Sequence, residues 1–260
     1  MEPMEEGSNT VQEIVRVCGP LPGRFAVFDF DNSCIVNDIQ EATLAYLCKN
    51  SLLKNQRLAQ APFADKEAYN REVFLGYDKL LEEGQMKEAY IYAVRTMAGF
   101  SRSEIERLVS DVIRSEGEIL GTQNLFGIDV AKGLSVRPEV KMLMESLLAA
   151  GCSVYVVTAS SEEVVHFALK IWNFPEVVCI GVRNTESGGV FTDAIEEPTP
   201  IIEGKVDCIK KFISADKKPV LAVGDSMNDL PMLEYAEVKV VVDRGNALAE
   251  KAKENGWYLI

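Results

Sequence analysis

Apolar runs of strand length alternate, over most of this chain, with segments whose apolar residues recur at helical spacing. The alternation begins with FAVFDF at residues 25–30 and resumes after residue 150. Strands that are apolar along their whole length and alternate with helices are typical of a mostly parallel sheet with helices on both faces. We therefore predict strands at residues 25–30, 153–159, 177–182, 219–225, 238–243 and 257–260, and helices at 138–150, 162–172, 204–213, 229–236 and 246–255.

The alternation stops between about Gln40 and Gly133, where the apolar residues keep helical spacing and no convincing strand stands out. This stretch predicts an all-helical insertion between the first and second strands. A second departure lies at residues 180–195, where two short β-rich runs flank Ser-Gly-Gly and predict a hairpin. We expect an α/β fold with a doubly wound, mostly parallel sheet built from residues 1–35 and 134–260, and a helical cap domain at residues 36–133.

Composition narrows the function classes. The chain has 260 residues, 47% of them hydrophobic, so it can bury a sizeable core. Its net charge is -13, and lysine and arginine do not cluster without intervening acids, which argues against nucleic-acid binding. Uninterrupted apolar runs stay below the roughly 18 residues of a membrane span, and the acidic N-terminal segment lacks the apolar core of a signal peptide. We therefore predict neither a nucleic-acid partner nor a membrane partner.

Cysteine and histidine usage restricts the chemistry further. The six cysteines are spread along the chain without a Cys-x-x-Cys pair, which argues against a zinc site and predicts reduced, mostly buried thiols in a cytoplasmic protein. The single histidine, His166, lies in a helical pattern, where surface or packing roles are the usual ones. Acid–base chemistry must therefore rely on carboxylates, lysine, tyrosine or cysteine.

Polar residues gather where the predicted strands end. Because open parallel sheets bind ligands beyond the carboxyl ends of their strands, we expect these residues to share one site. Several carboxylates beside one lysine repel each other unless a cation neutralises them, and an all-oxygen ligand set favours Mg2+. Such a site suits phosphoryl transfer, in which one aspartate attacks phosphorus and its neighbour protonates the leaving alcohol. The candidates are Asp29, Asp31 and Ser33 after the first strand, Thr158 and Ser160 at the second, Lys205 at a helix start, and Asp225 and Asp229 after a later strand.

The order of these residues resembles the four motifs of the haloacid dehalogenase-like superfamily of phosphotransferases. The resemblance spans residues 24–35 and 136–260. An acid at the second aspartate of the first motif is typical of the phosphatase-type members and disfavours dehalogenation. The motifs are Asp29-x-Asp31-x-Ser33, an apolar strand closing on Thr158, Lys205, and GDSMND at residues 224–229.

The resemblance implies a role for each matching residue. Asp29 would form an aspartyl-phosphate, and Asp31 would act as general acid and then as general base. Thr158 and Lys205 would hold the phosphoryl oxygens. Magnesium would be held by the carboxylates of Asp29 and Asp225, the backbone carbonyl of Asp31 and, often through water, Asp229.

The insertion resembles the small helical cap of the superfamily's phosphoserine phosphatase-like branch, where a closing cap excludes water and selects the leaving group. In phosphoserine phosphatases an acidic residue nine positions after the nucleophile holds the substrate amine. Asp38 has that position here, and a helix N-cap is its alternative role. The cap arginine that holds the substrate carboxylate in those enzymes corresponds to Ala93, with Arg95 nearby, which weakens the case for phosphoserine.

Other stretches, among them VFDFDNSCIVNDIQEATLAYL and SVYVVTASSEEVV, resemble bacterial phosphorylcholine phosphatases. The substrate of those enzymes carries a quaternary ammonium and no carboxylate. Asp38, together with Tyr77, Tyr90 or Tyr92, is a candidate site for such a cation through charge and cation–π contact. The alternative is that helical spacing makes these tyrosines core or surface residues.

We predict a Mg2+-dependent phosphatase that hydrolyses a small, amine-bearing phosphomonoester of the phosphocholine, phosphoethanolamine or phosphoserine type. Its substrate-binding residues are predicted to be Ser33, Asp38 and Ser160, and the protein is expected to be a cytoplasmic monomer or homodimer. Three alternatives stay open: a phosphomutase of the same superfamily, a phospho-accepting signalling domain, and a catalytically silent binding protein.

Overall fold

The structure is a computed structural model that describes residues 3–260, with side chains from residue 10 onward. Its centre is a six-stranded sheet, and three two-stranded ladders lie outside it. In chain order the strands are β1 (Phe25–Phe28), β2 (Ile35–Val36), β3 (Gly121–Leu125), β4 (Ile128–Lys132), β5 (Ser135–Val136), β6 (Ser153–Ser161), β7 (Val178–Val182), β8 (Asn184–Ser187), β9 (Val190–Ile195), β10 (Leu221–Gly224), β11 (Val238–Val241) and β12 (Tyr258–Leu259).

Helices connect most of these strands. Two short 3-10 helices, Arg95–Met97 and Met227–Asp229, adjoin the longer ones. In chain order the α-helices are α1 (Pro3–Val17), α2 (Ile39–Lys49), α3 (Lys66–Glu82), α4 (Met86–Val94), α5 (Arg102–Glu116), α6 (Pro138–Ala149), α7 (Glu162–Ile171), α8 (Gly204–Phe212), α9 (Leu230–Tyr235) and α10 (Ala247–Asn255).

The central sheet has the strand order β12-β11-β10-β1-β6-β7, and every neighbouring pair is parallel. All six predicted strands lie in it. Strand β1 is buried on both faces: Ala26 and Phe28 join the core under α1, α6 and α7, whereas Phe25 and Val27 join the core under α8, α9 and α10. Because side chains alternate across a strand, an unbroken apolar run marks a strand covered on both sides. The prediction of a doubly wound α/β fold is confirmed.

The insertion departs from the all-helical prediction. Helices α2 to α5 are present, but β3 and β4 pair antiparallel across a two-residue turn, from Gly121↔Lys132 to Leu125↔Ile128. Both turn residues have positive φ, 53° at Phe126 and 95° at Gly127, as a tight hairpin turn requires. The sequence did not signal this hairpin because GTQNL is mostly polar and, apart from Leu125, the residues of both strands are half-buried or exposed. The prediction that the cap is all-helical is therefore wrong at residues 121–132.

Two further helices differ from the sequence pattern. The segment at residues 74–97, which has continuous helical spacing, divides into α3 and α4 at Gly84, where φ is +71°. Helix α1 was not predicted, because Gly7 and Asn9 interrupt the pattern with weak helix formers. Val11 and Ile14 of this helix are buried in the core that also contains α6. The predicted hairpin at residues 180–195 is present as β8 and β9.

The insertion leaves and rejoins the central fold at one place. Strand β2 precedes it and β5 follows it, and the two pair antiparallel, with Ile35 opposite Val136 and Val36 opposite Ser135. The predicted boundaries after residues 35 and 133 lie at or beside this ladder. The division of the chain into a core domain and a cap domain remains a prediction.

All six cysteines are free, five buried and one half-buried, which confirms the prediction of unpaired thiols. Among the helices of the described residues, none combines the length and the apolar character that a membrane crossing requires.

Candidate active site

Three aspartates meet at the carboxyl edge of the sheet. Asp29 follows β1, Asp225 follows β10, and Asp229 ends the 3-10 helix after β10. All three are buried, and one carboxylate oxygen from each lies within 4.8 Å of the others. Asp229 can pack this closely against the end of β10 because residue 224 is glycine, where an added Cβ would lie 2.5 Å from the Cβ of Asp229. We call Asp29, Asp225 and Asp229 the acidic cluster.

Lys205 neutralises two members of the acidic cluster. Its ammonium Nζ donates to Asp29 Oδ1 at 2.6 Å and to Asp229 Oδ1 at 2.5 Å, with only 3% of its side chain exposed. Burial alone would lower the pKa of Lys205, but Asp229 and Asp29 outweigh burial and raise it. Lys205 is therefore a fixed cation, which the first turn of α8 presents to the strand ends.

The pKa of Asp29 is nevertheless raised well above its ordinary value. Burial is the main cause and the charge of Asp229 adds to it, while Lys205 offsets only part of the rise. One lysine thus does not compensate for three buried carboxylates. Because such an all-carboxylate donor set is what Mg2+ prefers, the acidic cluster fits a hard divalent cation.

Asp229 and Asp225 also shape the loop between them. Asp229 Oδ2 accepts hydrogen bonds from the backbone N–H groups of Asp225 at 3.0 Å and Ser226 at 3.2 Å, so this side chain holds the loop as well as facing Lys205. Asp225 Oδ1 accepts from the Ser33 hydroxyl at 3.2 Å, and Asp225 Oδ2 accepts from Arg244 Nη1 at 2.5 Å.

Ser33 was predicted to bind substrate, and its position in the structure is set back from the cavity. It is fully buried, its hydroxyl is turned to Asp225, and it does not line the cavity at the strand ends. Its hydroxyl therefore orients the Asp225 carboxylate, and its role in substrate binding remains a prediction.

Asp31 lies beside the acidic cluster but outside it. Its carboxylate accepts hydrogen bonds from the Ser160 hydroxyl at 2.6 Å, the Ile39 backbone N–H at 2.8 Å and the Thr158 hydroxyl at 3.3 Å. Burial raises the pKa of Asp31 to about 6, and the hydrogen bonds from Ser160 and Ile39 limit the rise. A carboxyl group with this pKa exchanges a proton readily near neutral pH, as a general acid–base group must.

A cavity of about 280 Å³ covers these residues. The predicted residues Asp29, Asp31, Thr158, Ser160 and Lys205 line it, together with Asp225 and Asp229. Its basic side chains are Lys205 and Arg244, both from the core. From the insertion, the lining residues are Asp38, Gln40, Tyr77, Met86, Tyr90 and Ala93.

Of the three candidate tyrosines, two line the cavity and one does not. Tyr77 and Tyr90 line the cavity, whereas Tyr92 turns away and donates its hydroxyl to the Leu58 carbonyl at 2.8 Å. Tyr90 also accepts a hydrogen bond from Asn228 Nδ2 at 2.9 Å, which joins the insertion to the loop of the acidic cluster. Arg95 lies outside the cavity and donates from Nε to the Asp193 carbonyl at 3.2 Å.

Asp38 has the helix-capping position and also lines the cavity. It is the N-cap of α2, where its Oδ1 accepts from the Glu41 backbone N–H at 2.8 Å. Burial raises its pKa well above the ordinary value, and the nearby Asp31 and Glu41 add to the rise. The position of Asp38 is therefore compatible both with capping α2 and with contacting a ligand in the cavity.

Gln40 and Arg244 are among the lining residues that the sequence analysis did not single out. Gln40 bridges the insertion and the core, because its amide donates to the Ala93 carbonyl and accepts from the Ser161 backbone N–H, each at 3.1 Å. Arg244 follows β11 at the same carboxyl edge as the aspartates. The strand-end rule that singled out the aspartates could have found Arg244, but no pattern in the sequence marks Gln40.

The chain is similar in sequence to known proteins. A family model described as haloacid dehalogenase-like hydrolase matches residues 26–234. A phosphorylcholine phosphatase of Pseudomonas aeruginosa is 27% identical over 243 residues, covering 78% of this chain and 68% of that protein. A histidinol-phosphatase of Neisseria meningitidis serogroup C is 22% identical over 240 residues, covering 89% of this chain and 96% of that protein.

A comparison with solved structures finds the same fold in a phosphatase. A solved substrate-bound complex of phosphoserine phosphatase has a TM-score of 0.56 and 14% identity to this chain, covering 91% of this chain and 92% of that one. At this identity the similarity concerns the fold alone. Because the family model spans most of the central sheet together with all three aspartates of the acidic cluster, the chain belongs to the haloacid dehalogenase-like hydrolase family and is a phosphoric monoester hydrolase.

Proposed function

We propose that this protein is a Mg2+-dependent phosphatase that hydrolyses a small, cationic phosphomonoester through an aspartyl-phosphate, with residues 36–133 as its cap. One observation carries the substrate proposal: the cavity has Asp29 and Lys205 at its base and Asp38, Tyr77 and Tyr90 on its insertion side, where no arginine lines it. Unpaired cysteines suit a cytoplasmic setting, where thiols stay reduced.

In the first half of the proposed reaction, a carboxylate oxygen of Asp29 attacks phosphorus and the bond from phosphorus to the substrate oxygen breaks. Asp31 gives its proton to the leaving oxygen. Lys205 and Thr158 hold the phosphoryl oxygens as negative charge shifts among them. Bound by Asp29, Asp225, Asp229 and the Asp31 carbonyl, Mg2+ would supply further charge neutralisation at the phosphoryl group.

In the second half, Asp31 takes a proton from water, and the water oxygen attacks the phosphorus of the aspartyl-phosphate. Inorganic phosphate leaves and the Asp29 carboxylate is restored. The hydrogen bonds from Ser160, Ile39 and Thr158 hold the Asp31 carboxyl in one orientation through both halves. Burial supports the dual role, because a pKa of about 6 leaves both the protonated and the ionised form available.

Replacing Asp31 with asparagine should lower kcat for an alkyl phosphate by roughly 100-fold or more, because a general acid typically contributes that much. The first release of nitrophenolate from p-nitrophenyl phosphate should be much less affected, because nitrophenolate leaves without a proton, whereas the later hydrolysis of the aspartyl-phosphate should slow on both substrates. Pre-steady-state release of nitrophenolate and steady-state release of phosphate measure the two steps. An equally large loss in the first release of nitrophenolate would contradict the acid role and point to a structural defect.

The leaving group is the part of the substrate that the insertion would contact. Asp38 is a half-buried carboxylate with a raised pKa, so a substrate ammonium beside it would stabilise its charged form. Tyr77 and Tyr90 add aromatic faces that favour a cation. The relatives named above are a phosphorylcholine phosphatase and a histidinol-phosphatase, and both choline and histidinol carry a positively charged nitrogen.

A substrate panel tests the function directly. We expect kcat/KM for phosphocholine, phosphoethanolamine or histidinol phosphate to exceed that for phosphoserine and for sugar phosphates by at least about tenfold, since one ion pair in a desolvated pocket is worth that much. Free phosphate should accompany each turnover. An isomerised sugar phosphate would support a phosphomutase, and failure to turn over even p-nitrophenyl phosphate would support a signalling or binding protein.

The Asp38→Asn variant separates the two roles of this residue, because asparagine caps a helix as well as aspartate does. Its melting temperature should stay close to that of the wild type, while KM for the preferred cationic substrate rises by roughly tenfold. Turnover of p-nitrophenyl phosphate should be unaffected.

Asp65 provides the matched control for this variant. It caps α3 in the same way, accepting from the Ala68 backbone N–H at 3.1 Å, and it lies outside the cavity. Asp65→Asn should change neither KM. If Asp38→Asn also left KM unchanged for every cationic substrate, Asp38 would be a helix cap alone.

A further inference from the structure

Every carboxylate of the acidic cluster has a cationic partner in this structure. Lys205 bonds to Asp29 and Asp229, and Arg244 bonds to Asp225. The Arg244 Nη1 to Asp225 Oδ2 distance is 2.5 Å, so the guanidinium holds one of the two oxygens of a carboxylate that belongs to the cluster.

The two cations are held very differently. Lys205 has 3% of its side chain exposed and makes two short bonds inside the site, so removing it would strand two buried carboxylates. The Arg244 side chain is 39% exposed and reaches the cluster from the turn after β11. Water is therefore available to the guanidinium once it releases Asp225.

The turn that carries Arg244 is fixed by other contacts. Asn246 Nδ2 donates to the Asp225 carbonyl at 2.8 Å. The Asn246 side-chain oxygen accepts from the backbone N–H groups of Leu248 and Ala249, both at 3.1 Å, and so caps α10. Because these bonds do not involve the guanidinium, the Arg244 side chain can leave Asp225 while the turn keeps its place.

A guanidinium and a divalent cation on the same carboxylate repel each other strongly in a partly buried site. Arg137 also faces this region, and the positive charges of Arg137 and Arg244 act on each other. We propose that Arg244 is a resident counter-cation of the metal site, which occupies Asp225 in the metal-free protein and competes with Mg2+ for that carboxylate. This inference rests on the metal assignment of the proposed function and assigns Arg244 a positioning role that lowers magnesium affinity.

Magnesium binding to the full-length protein, measured by calorimetry without substrate, tests the inference. Arg244→Gln should bind Mg2+ roughly three- to tenfold more tightly than the wild type, the gain expected from removing one half-exposed ion pair. The same variant should melt at a lower temperature in EDTA, because Asp225 then lacks a cationic partner. Its rise in melting temperature on adding Mg2+ should exceed that of the wild type.

Arg57→Gln is the matched control. Arg57 also pairs with an aspartate, Asp193, at 2.7 Å, but its side chain is 75% exposed and it lies outside the cavity of the acidic cluster. This variant removes the same charge, and its magnesium affinity should stay within about twofold of the wild type. An equal gain in magnesium affinity in both variants would show that the effect comes from net charge alone, and would overturn the proposed role of Arg244.

Arg244→Lys is a second variant in case Arg244→Gln does not fold in EDTA. Lysine keeps the charge but not the fork of the guanidinium, so its magnesium affinity should lie between those of the wild type and the glutamine variant. Unchanged or weaker binding in the Arg244 variants, or no magnesium binding by any form, would overturn the inference. This measurement does not depend on turnover. Tighter magnesium binding by the Arg244 variants would support the counter-cation role of Arg244 even if no substrate of the panel were hydrolysed, a result that would refute the proposed phosphatase activity.

Discussion

Asp29→Asn is expected to abolish phosphate release, with kcat/KM falling on the order of 10^4-fold or more, since an amide oxygen cannot replace the attacking carboxylate. The fold should survive the change. Asparagine has the size of aspartate, its amide oxygen can still accept from Lys205, and Lys205 keeps its second partner Asp229. The variant also removes one charge from a crowded cluster in which burial and Asp229 raise the pKa of Asp29.

Phosphate release from the preferred substrate and from p-nitrophenyl phosphate measures this loss, and circular dichroism with thermal melting measures the fold. The control is Asp216→Asn, which removes the same charge at an exposed position and should be fully active. Residual activity near the wild-type level in Asp29→Asn, with the fold intact, would refute the assignment of Asp29 as the nucleophile.

Removing the metal with excess EDTA is expected to stop turnover reversibly, with less than about 1% of the rate remaining, because electrostatic stabilisation is a large part of phosphoryl-transfer catalysis. The chain should nevertheless remain folded. Each carboxylate of the acidic cluster pairs with Lys205 or Arg244, so none is left without a cationic partner when Mg2+ is removed.

The measurement is phosphate release before chelation, in EDTA, and after Mg2+ is restored in excess, with circular dichroism recorded at each step. Asp225→Asn gives a second readout: it removes one carboxylate of the cluster and should raise the dissociation constant for Mg2+ by about tenfold or more. Rates that do not change in EDTA would contradict a metal-dependent reaction.

The strand pattern was the most informative part of the sequence. Apolar runs such as that of β1 are buried on both faces by alternating side chains, and only a parallel sheet covered by two helix layers buries them so. Since parallel strands end at one edge, the polar residues at the carboxyl ends of β1, β6 and β10 had to be neighbours. Residues nearly two hundred positions apart, Asp29 and Asp225, could be paired for this reason alone.

The pattern failed where local signals are weak. The β3–β4 hairpin depends on cross-strand pairing and a turn with two positive φ values, and its strands bury little. Helix α1 contains poor helix formers and is held by burying Val11 and Ile14 in the core. Helix α1 depends on partners far away in the sequence, whereas β3 depends on pairing with the adjacent β4.

The sequence by itself determined the layered α/β architecture and the residue types at the strand ends. The spacing of the apolar residues identifies the strands, and a parallel sheet brings the ends of its strands to one edge. Only the tertiary structure decided which side chains of the insertion enter the cavity. Helical spacing treats Tyr77, Tyr90 and Tyr92 alike, yet the packing of α3 and α4 admits the first two and turns the third to Leu58. Likewise, whether Ser33 contacts a ligand or Asp225, and whether Arg244 reaches the acidic cluster, depends on rotamers and loop positions that long-range packing sets.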